Sequence, residues 1–274
     1  MLYVVATPIG NLEDITLRAL RVLREVDLIA AEDTRHTRKL LTRYEIDTPL
    51  TSYHDGNERT KAASLVKRLE AGEDIALVSD AGTPTISDPG YHLIRAAAEG
   101  GVPVTPVPGV SAATAALSVC GLATDRFAFQ GFLPAKQGKR RETLRQLQDD
   151  DRTLVFYEAP HRIGEALTDM HEILGDRAVL VGRELTKAYE ELLRGSLSQV
   201  AAALDGTTPR GEFVIVVAGR DEASPVNETM LRAEIAKLLQ AGRKANEVAK
   251  LMTQTYSLVK RDVYKVVLEV AKRR

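Results

Sequence analysis

The 274-residue sequence contains one cysteine, Cys120, no tryptophan and five phenylalanines. A single cysteine excludes an intrachain disulfide and any Cys-rich metal site, and it suits a reducing compartment. The longest weakly apolar run, residues 112–123, contains Thr114 and Ser118 and is too short to span a bilayer. The first eight residues carry no basic stretch and reach Pro8 too early for a signal peptide. The expectation is a soluble, cytoplasmic protein without a membrane segment.

Several motifs are also missing. No G-x-G occurs, which removes the dinucleotide fingerprint and the glycine loop of the commonest methyltransferase fold, and there is no phosphate-binding G-x-x-x-x-G-K-[ST] loop. His36, His54, His92, His161 and His171 show no metal-ligand spacing, so no metal is expected. No G-x-S-x-G elbow supports a serine hydrolase.

What is present is one or two α/β domains' worth of core, with 44% hydrophobic and 27% charged residues. The net charge of −1 hides an asymmetry: residues 225–274 hold eleven Lys or Arg against five Asp or Glu, while the preceding 224 hold 26 against 33. A tail of +6 on a body of −7 suits a polyanion partner for the tail, or a solvated helical face.

The most informative stretch is Ser79-Asp80-Ala81-Gly82-Thr83-Pro84-Thr85-Ile86-Ser87-Asp88-Pro89-Gly90, which follows an apolar run, residues 75–78, that reads as a buried strand. It is a rigid polar loop at a strand's carboxyl end, where open α/β sheets bind ligands; a structural turn is the competing reading. Strands are expected at 2–6, 28–31, 50–53, 75–78 and 102–107, alternating with helices at 15–26, 35–44, 58–70 and 91–99, which predicts a mostly parallel sheet. A helix over 112–120 leaves that sheet, with Gly121 as its stop. A second set follows, with strands at 127–129, 154–157, 178–181 and 213–217 and helices at 139–148, 163–174 and 197–204. A linker at 221–225 precedes helices at 228–241, 245–256 and 260–272, punctuated by Gly242 and Ser257. The division is therefore 1–117, 118–224 and 225–274.

Polar loops recur at strand ends in the first set: Thr7-Pro8-Ile9-Gly10-Asn11, Glu32-Asp33-Thr34-Arg35-His36, the Ser79 to Gly90 loop, and Pro108-Gly109-Val110-Ser111. Four such loops on one rim are a stronger signal than any alone. Ser111 stands where an N-cap would, either closing its helix or leaving amides to face a ligand. The second set adds Phe156-Tyr157-Glu158-Ala159-Pro160-His161-Arg162, and Arg183-Glu184-Leu185-Thr186-Lys187 with Glu190 and Glu191. These charged residues read as surface ion pairs singly and as substrate contacts when clustered.

Together, Thr7 to Ile15, Ala31 to Arg35, the Ser79 to Gly90 loop, Pro108 to Ala112 and Phe156 to Arg162 resemble the tetrapyrrole methylase superfamily across nearly the whole chain. Within it they are most similar to the branch that methylates a cytidine ribose 2′-hydroxyl in 16S ribosomal RNA. The resemblance implies two α/β domains with S-adenosylmethionine (S-adenosyl-L-methionine) in the cleft between them, a small helical C-terminal module, and a homodimer acting on 16S rRNA or the small ribosomal subunit. By position, it places cofactor contacts at Pro8, Ile9, Asp80, Thr83, Ser111, Ala112 and Tyr157. The superfamily's G-x-G-P-G first loop is here Ala6-Thr7-Pro8-Ile9-Gly10.

A ribose hydroxyl is a poor acid, so a proton acceptor beside it helps the transfer. Glu158 is expected in that role, with His161 fitting nearly as well, and substrate contacts are expected at Arg35, Arg162, Lys187 and Glu190. Asp88, Pro89 and Gly90 are assigned to shaping the turn. The basic tail suits RNA backbone binding, having only Tyr256 and Tyr264 as aromatics. Two other readings compete: a small-molecule methyltransferase of tetrapyrrole type, and a non-catalytic RNA-binding protein.

Overall fold

The computed structural model describes the backbone of every residue except 208–209, 221–227, 241–242, 257–259 and 273–274, and the side chains of all but these and 228–230, 254–256, 260–262 and 272. The expected linker at 221–225, the punctuation at Gly242 and Ser257, and the Tyr256 side chain lie outside the described residues. The chain forms two compact units, one of residues 1–148 with 152–218 and one of 149–151 with 219–274.

The first unit opens with a five-stranded sheet of β1 (Leu2–Val5), β2 (Leu28–Ala31), β3 (Leu50–Ser52), β4 (Ile75–Val78) and β5 (Val104–Val107), in the order β3-β2-β4-β1-β5. Every pairing is parallel. Strands buried on both faces need no alternation, which is why β2 and β4 read as unbroken apolar runs. Helices α1 (Leu17–Glu25) and α2 (Thr34–Arg43) bury Leu20, Leu23 and Leu41 against one face of this sheet. Helices α3 (Glu58–Glu70) and α4 (Tyr91–Glu99) bury Leu65, Leu69 and Leu93 against the other. The chain leaves neighbouring strands β1 and β4 toward opposite faces, so their carboxyl ends form the crevice of a topological switch point.

Helix α5 (Ala112–Val119) departs from this sheet and packs Ala113, Ala116 and Leu117 on Val155, Leu180, Val214 and Val216 of a second one. That sheet consists of β6 (Phe127–Phe132), β7 (Thr153–Glu158), β8 (Ala178–Arg183), β9 (Glu191–Ser196) and β10 (Phe213–Val217), in the order β6-β7-β10-β8-β9. Only β6 and β7 run parallel; the other pairs are antiparallel. Its outer face is covered by α6 (Gln137–Gln146), α7 (Ile163–Leu174) and α8 (Leu197–Leu204) through Leu144, Leu167, Met170 and Val200.

Strand β9 corrects the sequence reading, which assigns no element between 181 and 197 and treats Arg183 to Glu191 as a charged loop. It is a half-exposed edge strand whose Glu191 and Arg194 interrupt the apolar pattern. In consequence Arg183 closes β8 and Glu191 opens β9, and only 184–190 form the hairpin between them.

In the second unit, α9 (Glu228–Gln240), α10 (Ala245–Tyr256) and α11 (Lys260–Lys272) close around Leu231, Ile235, Val248, Met252, Val263 and Val267. This is a small three-helix core. No described helix is long and apolar enough to cross a membrane.

Candidate functional site

The four polar loops of the first sheet are tied into one rim. Thr7 and Gly82 exchange both backbone hydrogen bonds, at 2.9 and 3.0 Å, joining the loop after β1 to the loop after β4. The Asp33 amide donates to Asp80 Oδ1 at 2.9 Å and the Asp80 amide to Glu32 Oε2 at 3.3 Å, joining the loop after β2. Thr83 Oγ1 donates to the Val110 carbonyl at 3.2 Å, joining the loop after β5. A Cβ on Gly109 would lie 2.9 Å from that of Ala6, so this loop passes as close to β1 as a glycine allows.

The loop that follows β4 is also strained. Thr85 and Ser87 have φ of 74° and 68°, which side-chain-bearing residues adopt at a cost, and Gly90 has φ of 142°. At Gly90 a Cβ would meet Thr85 Cγ2 at 2.8 Å and Leu77 Cδ2 at 3.0 Å, so glycine is required there. This geometry turns Asp88 toward the cleft between the sheets, where it lines a cavity. The sequence reading had left it to turn-shaping.

That cavity, about 300 Å³, is lined on the first side by Ile9, Thr83, Asp88, Ser111 and Ala112, and on the second by Phe132, Tyr157, Glu158, Pro160 and Val214. Tyr157 is held edge-on between Phe129 and Phe132, with centroids 4.9 and 5.7 Å away. Its hydroxyl accepts the Ala113 amide at 3.2 Å. Ser111 occupies the N-cap position of α5 but its side chain makes no capping hydrogen bond, so the plain helix-capping role is not what it performs. Its half-buried side chain instead hydrogen-bonds that of Tyr157 at the cavity edge.

A second chamber of about 310 Å³ adjoins the first, sharing Ile9, Ala81 and Glu212 with it. Pro8, Asp80, His36, Lys39 and Lys187 complete its lining. The β8–β9 hairpin closes one side, where Thr186 Oγ1 accepts the Asn11 amide at 3.1 Å. The fold thus gathers Pro8, Ile9, Asp80, Thr83, Ser111, Ala112, Tyr157, Glu158 and Lys187 around two joined chambers. His161 is not among them: it lines a separate cavity on the far side of Pro160, between α7 and α8.

Charge separates the two walls. On the first, burial pushes the Asp88 carboxyl up to about 6, aided by the neighbouring Glu32 charge. Burial also raises Glu32, against the hydrogen bond it accepts from Asp80. On the second wall the charged groups are matched. Glu158, 2% exposed, accepts the Ala159 amide at 2.9 Å and pairs with Arg162 at 3.2 Å; burial still raises its carboxyl. Lys187 Nζ reaches Glu184 at 2.8 Å and Glu212 at 2.9 Å, and although burial works against the ammonium, these bonds raise it. Glu190 accepts the Thr186 amide at 2.7 Å. Arg35, at the start of α2, is exposed and paired with its neighbour Asp33 at 3.0 Å. Phe132, Val214 and Glu212 are cavity residues that sequence reasoning did not single out; an aromatic ending one strand and a residue preceding another carried no distinguishing signal.

Residues 1–201 match the tetrapyrrole (corrin/porphyrin) methylases. Ribosomal RNA small subunit methyltransferase I of Synechocystis is 46% identical over 273 residues, covering 98% of both chains. The protein of the same name from Pseudomonas aeruginosa is 51% identical over 241 residues, covering 87% of this chain and 85% of its own. Among solved structures, diphthine synthase superposes with a TM-score of 0.60 at 17% identity, covering 79% of this chain and 89% of that one. Uroporphyrin-III C-methyltransferase from Thermus thermophilus, complexed with S-adenosyl homocysteine, gives 0.56 at 21% identity, covering 78% and 96%. The last two share the fold of two facing sheets. With such cover and identity, the chain belongs to the tetrapyrrole (corrin/porphyrin) methylase family, in the group of ribosomal RNA small subunit methyltransferases I.

Proposed function

We propose that the protein transfers the methyl group of S-adenosylmethionine to the 2′-hydroxyl of a cytidine ribose in 16S rRNA of the small ribosomal subunit. The observation that carries this is the pair of joined chambers between a hydrogen-bonded rim of four loops and an aromatic wall. The first chamber suits the cofactor: Ile9 and Thr83 border it, Pro8 and Asp80 line the adjoining one, Tyr157 supplies an aromatic wall, and Ser111 with Ala112 offers a hydroxyl and helix-start amides for a carboxylate or ribose. The sulfonium, when bound, supplies both the methyl and its leaving group, so the protein's work is orientation and management of one proton.

For that proton, both oxygens of Glu158 are engaged by Ala159 and Arg162, which suits it to holding Arg162 and the turn after β7. Asp88 lines the same cavity, is raised to about 6 by burial, and is mostly ionised at neutral pH while basic enough to accept a proton. We therefore assign it the acceptor role, with Glu158 as the alternative; His161 lies beyond Pro160. The reading further places residues 1–117 and 118–224 as the two walls of the site, and gives the basic segment 225–274 to RNA backbone binding. It also takes the protein to work in the cytoplasm, as a homodimer.

The test supplies labelled cofactor with small ribosomal subunits, naked rRNA, or tetrapyrrole precursors, then maps the methyl by mass spectrometry of digested rRNA. Label on a cytidine ribose is expected. Label on a base, on the small molecule, or nowhere overturns the reading. Single-turnover methylation by Asp88→Asn and Glu158→Gln then assigns the acceptor: the variant that keeps the wild-type rate is not it.

A further inference from the structure

Helix α2 carries a cationic face of which the site as described uses only His36 and Lys39, in the lining of the second chamber. Between Thr34 and Arg43 it holds Arg35, His36, Arg38, Lys39 and Arg43, and no Asp or Glu. All five are exposed, while Thr37, Leu40 and Leu41 turn inward to the core. This is unusual on a body whose first 224 residues have a net charge of −7. Arg35 is answered by Asp33. Among the described residues Arg38, Lys39 and Arg43 meet no carboxylate, and Arg43 instead lies over the Tyr44 ring at 5.8 Å.

The face leads to the cleft. His36 and Lys39 line the second chamber, beside Pro8 and Asp80, so the stripe begins where an acceptor would enter and runs outward along the helix to Arg43. From Arg38 to Arg43 the helix rises about 7.5 Å. Three long cationic side chains spread from that length can meet up to three phosphates of one strand, one each. A free anion or a small tetrapyrrole would have no use for an extended row of cations directed away from the chamber. A nucleic acid threading its target sugar into the cleft would.

We propose that Arg38, Lys39 and Arg43 of α2 form a track for the rRNA phosphate backbone flanking the target nucleotide, within the first unit and separate from the basic C-terminal segment. This rests on the assignment of rRNA as substrate. The track positions the strand and carries no sequence information, so its loss weakens binding without altering the chemical step. Arg35, committed to Asp33, contributes less than its three neighbours.

The test uses the full-length chain carrying Arg38→Glu, Lys39→Glu and Arg43→Glu together, and the same three positions changed to Ala, which is a better helix former and keeps α2 folded. A control changes Arg59, Lys61 and Lys67 of α3, on the opposite face of the sheet, to Glu, which alters net charge equally. Binding of an rRNA fragment is measured across a salt series, with KM and kcat for methylation and cofactor affinity by calorimetry. For three lost phosphate contacts the salt slope falls by about 2, at roughly 0.7 each on a single strand. KM for RNA rises roughly tenfold or more, and in a double variant Arg38→Glu, Arg43→Glu, which spares the chamber-lining Lys39, kcat and cofactor affinity stay near wild type. The α3 control keeps the wild-type slope. An unchanged slope in both triple α2 variants, or an equal fall in the control, overturns the track and leaves the activity standing. If the wild-type protein itself neither binds nor methylates rRNA, the substrate assignment fails and the track falls with it.

Discussion

The two sheets that face each other across the cleft handle charge in opposite ways. On the first, the central strands β2 and β4 are apolar on both faces and the charged groups gather in loops at the strands' carboxyl ends, where Glu32 and Asp88 are desolvated and raised. On the second, the acids are answered by cations: Glu158 by Arg162, Glu184 and Glu212 by Lys187, Asp169 by Arg140 and Arg141. A carboxylate whose oxygens are already engaged is a poor proton acceptor and a good strut. One wall therefore carries desolvated carboxylates, and the other holds an aromatic surface in place.

The largest test of this contrast lies behind the second sheet, in the deepest ion pair of the helices that cover its outer face. Arg140 is wholly buried on α6, with Nε 2.7 Å from Asp169 Oδ2 on α7, and Asp169 is 1% exposed. Removing Asp169 leaves the buried Arg140 with only the exposed Glu165, 3.0 Å away, which costs about 3 kcal/mol, or roughly 10 °C in a unit of this size. Asp169→Asn should show that loss in thermal unfolding, and the double change Arg140→Met with Asp169→Leu should recover most of it. Cofactor affinity of the folded single variant should stay near wild type. A collapse of affinity at temperatures where it is folded would make the network part of the site.

The corresponding test of the first wall is Gly90→Ala. A φ of 142° and contacts of 2.8 and 3.0 Å leave a side chain no relaxed place, at a cost of about 2 kcal/mol. Because the same turn presents Asp88, cofactor binding or methylation should fall in the folded variant as well, unlike in Asp169→Asn. Calorimetry beside a melting curve separates the two effects.

How far these features were legible in the sequence follows from local physics. Strands β2, β4 and β10 and helices α3, α4, α7, α8, α10 and α11 match the residues expected, because fully apolar runs and helical spacing need no partner to be recognised. Strand β9 was missed because an edge strand is defined by its neighbour, and Glu191 and Arg194 break the alternation. Within the site, Pro8, Ile9, Thr83 and Ser111 could be placed from loop chemistry and resemblance. Asp88 is read as turn-shaping because Asp-Pro-Gly spells a turn, and the positive φ values of Thr85 and Ser87 in the loop that carries it to the cavity lining leave no mark in the sequence. The pairing of Glu158 with Arg162 depends on the turn after β7, which periodicity does not describe.

Between these walls stands Tyr157, whose hydroxyl reaches across to α5. Tyr157→Phe keeps the edge-on packing with Phe129 and Phe132 but leaves the Ala113 amide without its acceptor at 3.2 Å. A net loss of about 1 kcal/mol, or roughly five-fold in cofactor affinity, is expected by calorimetry. No change would mean that the aromatic ring alone forms that wall.

The smallest effect, and the one that most directly separates the walls, is the pH dependence of stability at Asp88. Its folded-state value is about 6 against an ordinary 3.8, so between these pH values the native protein holds a proton that the unfolded chain has released. Stability then falls as pH rises from about 4 to 6, because ionising the half-buried carboxyl beside Glu32 costs more in the fold than in water. Asp88→Asn removes that penalty and should make the protein more stable than wild type at pH 7. With solvent screening of a half-buried group, the gain is about 1 kcal/mol. At pH 4 the two proteins should converge, and the difference should open through pH 5 to 6 in urea midpoints. Glu158 is also raised by burial, with the Ala159 and Arg162 bonds offsetting part of the cost, so Glu158→Gln should gain stability at pH 7 by less than Asp88→Asn does. The larger gain from Asp88→Asn would mark Asp88 as the group held ionised at the greater cost to the fold; a larger gain from Glu158→Gln would exchange their roles.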